Sequence, residues 1–312
     1  MGIYKIHVAR CTTIQETKNY GFHYLVKNSI LLGQCFALLP VDGVTLTESK
    51  LQFKWLSFRT AYTIITGLLL LLYTICVFIY TLVNSENFFA FVVVIWNLRA
   101  FLGITLFFRI SRRWPALVKH WVEVETSMTD YEPLIYIKLK YRILAALYFI
   151  TGIVEHGLFV AGGIKRLSSN VQPSDNYFQK YFELQYAEFF HTFKYAHWKA
   201  VIVEFLSLIT TYQWQFTNYF IAIIAIALAE RFQQISKKIN SKQLQNEDHW
   251  RNVRQHYNSL TLLCKSVNDV IGLLVVLAFL GNLYFLSISA LQCLSPRNGF
   301  EMAYYWYGFL FT

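Results

Sequence analysis

Five stretches of this chain are apolar enough and long enough to cross a lipid bilayer, and no other feature constrains the fold as strongly. A bilayer core about 30 Å thick needs roughly 20 mostly apolar residues per helix. Residues 58–83, 88–108, 143–163, 198–229 and 270–291 meet that length. The first carries no charge after Arg59, the second carries Arg99, and the fifth carries none. The third contains Glu155 and His156, and the fourth contains Glu204 near its start. A sixth apolar segment opens near Met302, and the sequence stops inside it. Backbone groups in lipid must be hydrogen-bonded internally. The expected fold is therefore an all-α polytopic membrane protein with five full transmembrane helices plus the start of a sixth, and the sequence is expected to be a fragment or a truncated product.

Composition agrees. Charged residues make up 15% of the 312, against about 25% in soluble domains, while hydrophobic residues reach 55% and aromatics 18%. With 14 Gly, 5 Pro and 5 Cys, collagen, disorder and disulfide scaffolds are excluded. Cys76 lies in an apolar run, only Cys293 is placed to meet an oxidising side, and there is no CxxC spacing for zinc. The first 28 residues are polar and mixed in charge, so no signal peptide is expected and the first span is expected to act as its own insertion signal.

The net charge of +10 does not imply nucleic acid, because the basic residues gather in loops of one side. The segment through Arg59, residues 109–142 and residues 230–269 hold seven Lys or Arg each; the other side holds six. The richer side faces the cytoplasm. This puts the N-terminus inside, opposite to a G-protein-coupled receptor.

Two regions follow: a cytoplasmic N-terminal segment, 1–57, and a transmembrane helical domain, 58–312, with cytosolic helical extensions at 109–142 and 230–269. Within the first, the apolar run 29–41 is too short to cross and suits a re-entrant or interfacial helix. It ends at Pro40, with Asp42-Gly43 as a turn.

Motifs of enzymes are absent: no HExxH, no GxSxG, no P-loop, no GxGxxG in a strand–helix setting. No cofactor or metal is expected. Glu155 and His156 are adjacent, so on a helix they diverge by about 100° and do not face one ion. Ionisable groups inside a membrane cost about 2.5–3.5 kcal/mol on insertion scales and therefore face an interior or a watery cavity. Glu155 and Glu204 fall at similar outer depths, where they either line one pocket or snorkel to the interface; Arg99 lies nearer mid-depth. Interfacial belts explain many of the aromatics, but Trp96 and Tyr212 sit deeper. Ring faces with carboxylates that orient hydroxyls fit a polyol such as a sugar, and equally other small amphipathic ligands. The candidate ligand-binding residues are Trp96, Glu155, His156, Glu204, Tyr212 and Tyr284.

Two segments carry a family resemblance. The run Leu32-Gly33-Gln34-Cys35-Phe36-Ala37-Leu38-Leu39-Pro40-Val41-Asp42-Gly43-Val44 resembles the segment before the first span of insect gustatory receptors of the sugar-receptor branch. The run Phe108-Arg109-Ile110-Ser111-Arg112-Arg113-Trp114-Pro115 resembles the start of their first long cytosolic loop. The resemblance implies a plasma-membrane, multi-pass subunit of a taste receptor for sugars, similar to a ligand-gated cation channel built as a homo- or hetero-tetramer with related subunits. Its partners would be a sugar ligand and membrane lipid. The family's pore helix, with its Thr-Tyr…Gln-Phe signature, is missing from these 312 residues. The resemblance also implies that residues around 230–269 join subunits. The alternative class is a small-solute membrane transporter using Arg99, Glu155 and Glu204. Such transporters often show paired, Gly- or Pro-broken helices in two related halves, and no such pairing is evident.

Overall fold

The computed structural model describes residues 21–84, 90–129, 131, 136–168, 176–240, 247–294 and 299–311. Among them the elements in chain order are α1 (Phe22–Cys35), α2 (Phe58–Asn84), α3 (Phe91–Ser127), α4 (Ile137–Ser168), α5 (Tyr177–Gln185), α6 (Ala187–Phe190), α7 (His197–Ile239), α8 (Glu247–Cys293) and α9 (Gly299–Phe311). The five expected spans fall on α2, α3, α4, α7 and α8, each long and apolar enough to cross a membrane. The protein is an all-α, multi-pass membrane protein. The expected start of the second span at Phe88 lies outside the described residues.

The first span shows why the bundle forms. In α2 the buried positions include Thr60, Thr63, Gly67, Leu70, Thr74, Val77 and Thr81, a stripe with steps of three and four, flanked by Thr66 and Tyr73. Large aliphatics point the other way: Ile65, Leu72 and Leu82 are more than half exposed. Lipid is as apolar as leucine, so helices in a bilayer associate through small residues that allow close approach, and the bulky side chains face the tails. Gly67 of α2 accordingly faces Ile104 of α3.

Three helices outrun the bilayer. At about 1.5 Å per residue, the 37, 43 and 47 residues of α3, α7 and α8 extend well past a 30 Å core. Their extensions meet at the end of the bundle where α1 begins. There the Glu125 carboxylate of α3 accepts from the Phe22 N–H of α1 at 3.0 Å and from Arg231 of α7 at 2.6 Å. Phe22 stacks on Trp121 with ring centres 3.8 Å apart.

The apolar run 29–41 does not form one helix. The helix begins seven residues earlier, at Phe22, and ends at Cys35. Beyond it the chain folds back, with Ala37 and Leu39 at positive φ. Gln34 holds the turn by donating to the carbonyls of Leu39 and Val41. Gly33 sits against the Phe216 ring of α7, where a side chain would collide. The Asp42-Gly43 turn is present, with Gly43 at φ 79° and Asp42 paired with Gln52 in both directions.

At the opposite end, the connection between α4 and α7 contains the short helices α5 and α6, which the periodicity of the sequence did not suggest. Asn176 caps α5 by accepting from the Gln179 N–H. The two helices lie over the end of α2, α4 and α7 and roof the cavity described next.

Candidate functional site

The elements α3, α4, α7 and α8 line a partly open cavity of about 280 Å³, with Tyr73 of α2, residues of α5 and α6 above, and α9 at its border. Its floor is aromatic. Trp96 of α3 and Trp214 of α7 stack with ring centres 5.3 Å apart, and Phe285 of α8 meets both edge-on. The Trp96 indole N–H donates to Thr210 Oγ1 at 3.1 Å, which fixes the ring plane.

A carboxylate faces into the same space. Glu155 of α4 lines the cavity and accepts from Gln215 Nε2 at 2.9 Å. The Gln215 carbonyl in turn accepts from Thr151 Oγ1 at 3.3 Å, so the amide orientation is set from both sides. The second Glu155 oxygen has no partner among the described residues and remains available as an acceptor. A second carboxylate, Glu188, comes from the four-residue helix α6. Burial pushes its pKa up from the usual carboxylate range, with its own backbone and the Arg166 charge pulling the other way. Arg166 also lines the cavity and donates to Gln185 Oε1 at 2.7 Å.

Of the six residues proposed from sequence, Trp96 and Glu155 line this cavity. Glu204 and His156 do not. His156 Nε2 lies 3.0 Å from Glu204 Oε1, and Tyr186 donates to Glu204 Oε2 at 2.8 Å. Both Glu204 oxygens are thus engaged in a tie between α4, α7 and the junction of α5 and α6, where Tyr186 is the member that reaches the lining. The adjacent Glu155 and His156 diverge as their helical spacing requires, one to the cavity and one to a neighbouring helix.

Tyr212 lies on another face of α7. It stacks on Phe36 with ring centres 4.5 Å apart, packs on Phe149, and borders a small separate groove between α1, α4 and α7. Tyr284 meets Phe285 edge-on and is not a lining residue. Arg99 is 5% exposed, with its guanidinium carbon 3.5 Å from the centre of the Trp214 ring on α7.

Sequence reasoning missed Gln215, Glu188, Gln185 and Tyr186 as site residues. One signal was available: Thr210-Thr211-Tyr212-Gln213-Trp214-Gln215 is a polar and aromatic interruption in the middle of an otherwise aliphatic span. Those residues on α5 and α6 had no comparable signal.

An all-α bundle of long spans around a partly open cavity lined by aromatic rings and carboxylates defines a multi-pass membrane protein. The chain belongs to the trehalose receptor family, whose model matches residues 10–312. It is similar to the Drosophila melanogaster gustatory receptor for sugar taste 64f, 26% identical over 92% of this chain and 62% of that receptor. The gustatory receptor for sugar taste 64b of the same organism is 26% identical, covering 93% of this chain and 75% of its own. Gustatory receptor 5a for trehalose is 21% identical over 92% of this chain and 66% of its own length. The chain therefore spans 62% of the first of these relatives.

Proposed function

We propose that this chain is the ligand-binding part of a sugar taste receptor subunit of the plasma membrane, and that the cavity between α3, α4, α7 and α8 holds the sugar. The observation that carries the reading is the juxtaposition in one cavity of the Trp96, Trp214 and Phe285 rings and the oriented Glu155 carboxylate. A sugar ring presents an apolar C–H face and a rim of hydroxyls. The aromatic lining matches the first, and Glu155, Gln185 and Glu188 supply acceptors and donors for the second. Hydroxyls bonded to an ionised carboxylate make charge-assisted bonds, typically worth about 1.5–3 kcal/mol each. The relatives' names as receptors for sugar taste support the same ligand class.

Signalling follows as a population shift: the sugar stabilises whichever arrangement of α3, α4, α7 and α8 it binds more tightly. Cation conduction, and assembly as a tetramer with related subunits, belong to this reading through the family resemblance and concern the whole receptor. Direct calorimetry on the chain in lipid nanodiscs tests the ligand class. Saturable binding of trehalose, sucrose or glucose is expected, with none of glycine or lysine. Amino-acid binding in place of sugar, or a folded chain that binds no sugar, overturns the proposal.

A further inference from the structure

At the end of the bundle where α2 begins, a rigid apolar knob stands in solvent-accessible space. Trp55 is 60% exposed, Leu56 102% and Phe58 86%. The knob is held from behind. Asp42 and Gln52 pair through their backbones, Arg59 donates to the Asp42 carboxylate at 2.7 Å, and Thr60 Oγ1 donates to the Lys54 carbonyl at 2.6 Å. Phe53, Trp55 and Phe108 of α3 form a cluster with ring centres 5.3–5.7 Å apart. Large apolar side chains fixed outward in this way require a cover.

The surroundings identify the cover. Arg112 lies with its guanidinium carbon 5.4 Å from the Trp55 ring centre, and Arg109 and Lys54 are exposed beside it. Neither stretch forming this patch, 49–62 or 101–122, contains an Asp or Glu. Of the two acids on the connecting segment, Asp42 and Glu48, Asp42 is paired with Arg59, and Arg113 is turned to the Asp269 carbonyl. Phe58 opens a span, and Arg109 is the first charge after the apolar part of another, so the patch lies where hydrocarbon gives way to headgroups.

We propose that Trp55, Leu56 and Phe58, with Lys54, Arg109 and Arg112, form a site for an acidic phospholipid of the surrounding leaflet. The apolar knob inserts beside the acyl chains, and the guanidinium groups take the phosphate and carboxylate of the headgroup. Arg suits this role because its planar fork pairs with two oxygens at once. The site stands apart from the cavity and does not depend on the identity of the ligand there.

Native mass spectrometry of the chain in an uncharged polyoxyethylene detergent, titrated with phosphatidylserine or phosphatidylcholine, tests this. Phosphatidylserine is expected to bind at least tenfold more tightly, at about fivefold per basic group near the headgroup. Arg109→Gln with Arg112→Gln should abolish that preference. Arg251→Gln with Arg254→Gln, which removes two exposed charges on the α8 extension, should leave it intact. Trp55→Ala should weaken both lipids alike. Equal binding of the two lipids overturns the proposal, as does equal loss from the α8 pair. So does a lipid-free chain whose copies cross-link through position 55, which would make the patch a protein interface.

Discussion

The Arg99 guanidinium carbon lies over Trp214, 3.5 Å from the ring centre, in the middle of the bundle. Trp96, one turn before Arg99 on α3, stacks against the same ring, so α7 delivers Trp214 to two neighbours on one helix face. Arg99 forms no ion pair among the described residues; beyond the ring it reaches only the Gln213 carbonyl oxygen, at 3.4 Å. A desolvated cation–π contact of this kind contributes about 2 kcal/mol. Arg99→Lys keeps the charge and loses the planar stack. It should lower stability by about 1–2 kcal/mol, read as a drop in melting temperature of the detergent-solubilised chain. An unchanged melting temperature would show that the stack is incidental.

Close packing beside that pair gives a second expectation. A methyl group on Gly103 of α3 would overlap the Gln213 side chain, which is fully buried and donates to Thr217. Gly103→Ala should destabilise by about 1–3 kcal/mol, the usual cost of overpacking. Gly157→Ala, at a helical position with nothing within 4 Å, should be neutral or slightly stabilising, since Ala is the better helix former by about 1 kcal/mol. Thermal unfolding of the two variants side by side checks the contrast.

The Glu125–Arg231 pair ties α1, α3 and α7, and its side chains are only 13% and 12% exposed. Removing one member leaves the other charge buried without a partner, which typically costs about 3–5 kcal/mol. Glu125→Ala should therefore cost more than the double change Glu125→Ala with Arg231→Ala. A double-mutant cycle on unfolding should return a coupling of about 1–3 kcal/mol, and a coupling near zero would mean that the ion pair adds nothing to the packing that holds α1.

Glu188 gives a pH dependence. Its folded pKa is raised by burial above the ordinary carboxylate value. Between those two values the folded chain holds a proton that the unfolded chain releases, so stability falls as pH rises through this window. Below the ordinary carboxylate range the group no longer distinguishes the two states. Glu188→Gln should remove this part of the slope and raise stability relative to the parent above the window. Melting temperatures across a pH series, parent against variant, give the result directly; parallel curves would contradict it.

Much of the fold was legible because lipid imposes a length rule that single residues cannot disguise. The spans around Leu70 and Leu274 stand out on apolar content alone, and both are buried in the bundle. The helices α5 and α6 were not legible, since short amphipathic turns such as Phe182–Tyr186 gain their structure by packing on the bundle. The candidate cavity was legible only in part. Residue type and depth nominated six residues, of which Trp96 and Glu155 line it. His156, Glu204, Tyr212 and Tyr284 were nominated too, because depth along a helix does not reveal which way a side chain points around it. Glu204 is consumed by His156 and Tyr186, a pairing across three helices that no local spacing encodes.

In the proposed complex a sugar sits against the aromatic lining and Glu155. The most direct measurement is the calorimetric affinity for trehalose, sucrose or glucose, whichever binds the parent chain, compared between the parent, Glu155→Gln and Tyr284→Phe. Losing the carboxylate removes at least one charge-assisted bond of about 1.5–3 kcal/mol, so Glu155→Gln should bind roughly tenfold or more weakly. Tyr284→Phe, outside the lining, should bind as the parent does. An unchanged affinity in a normally folded Glu155→Gln chain would contradict the claim and place the sugar elsewhere.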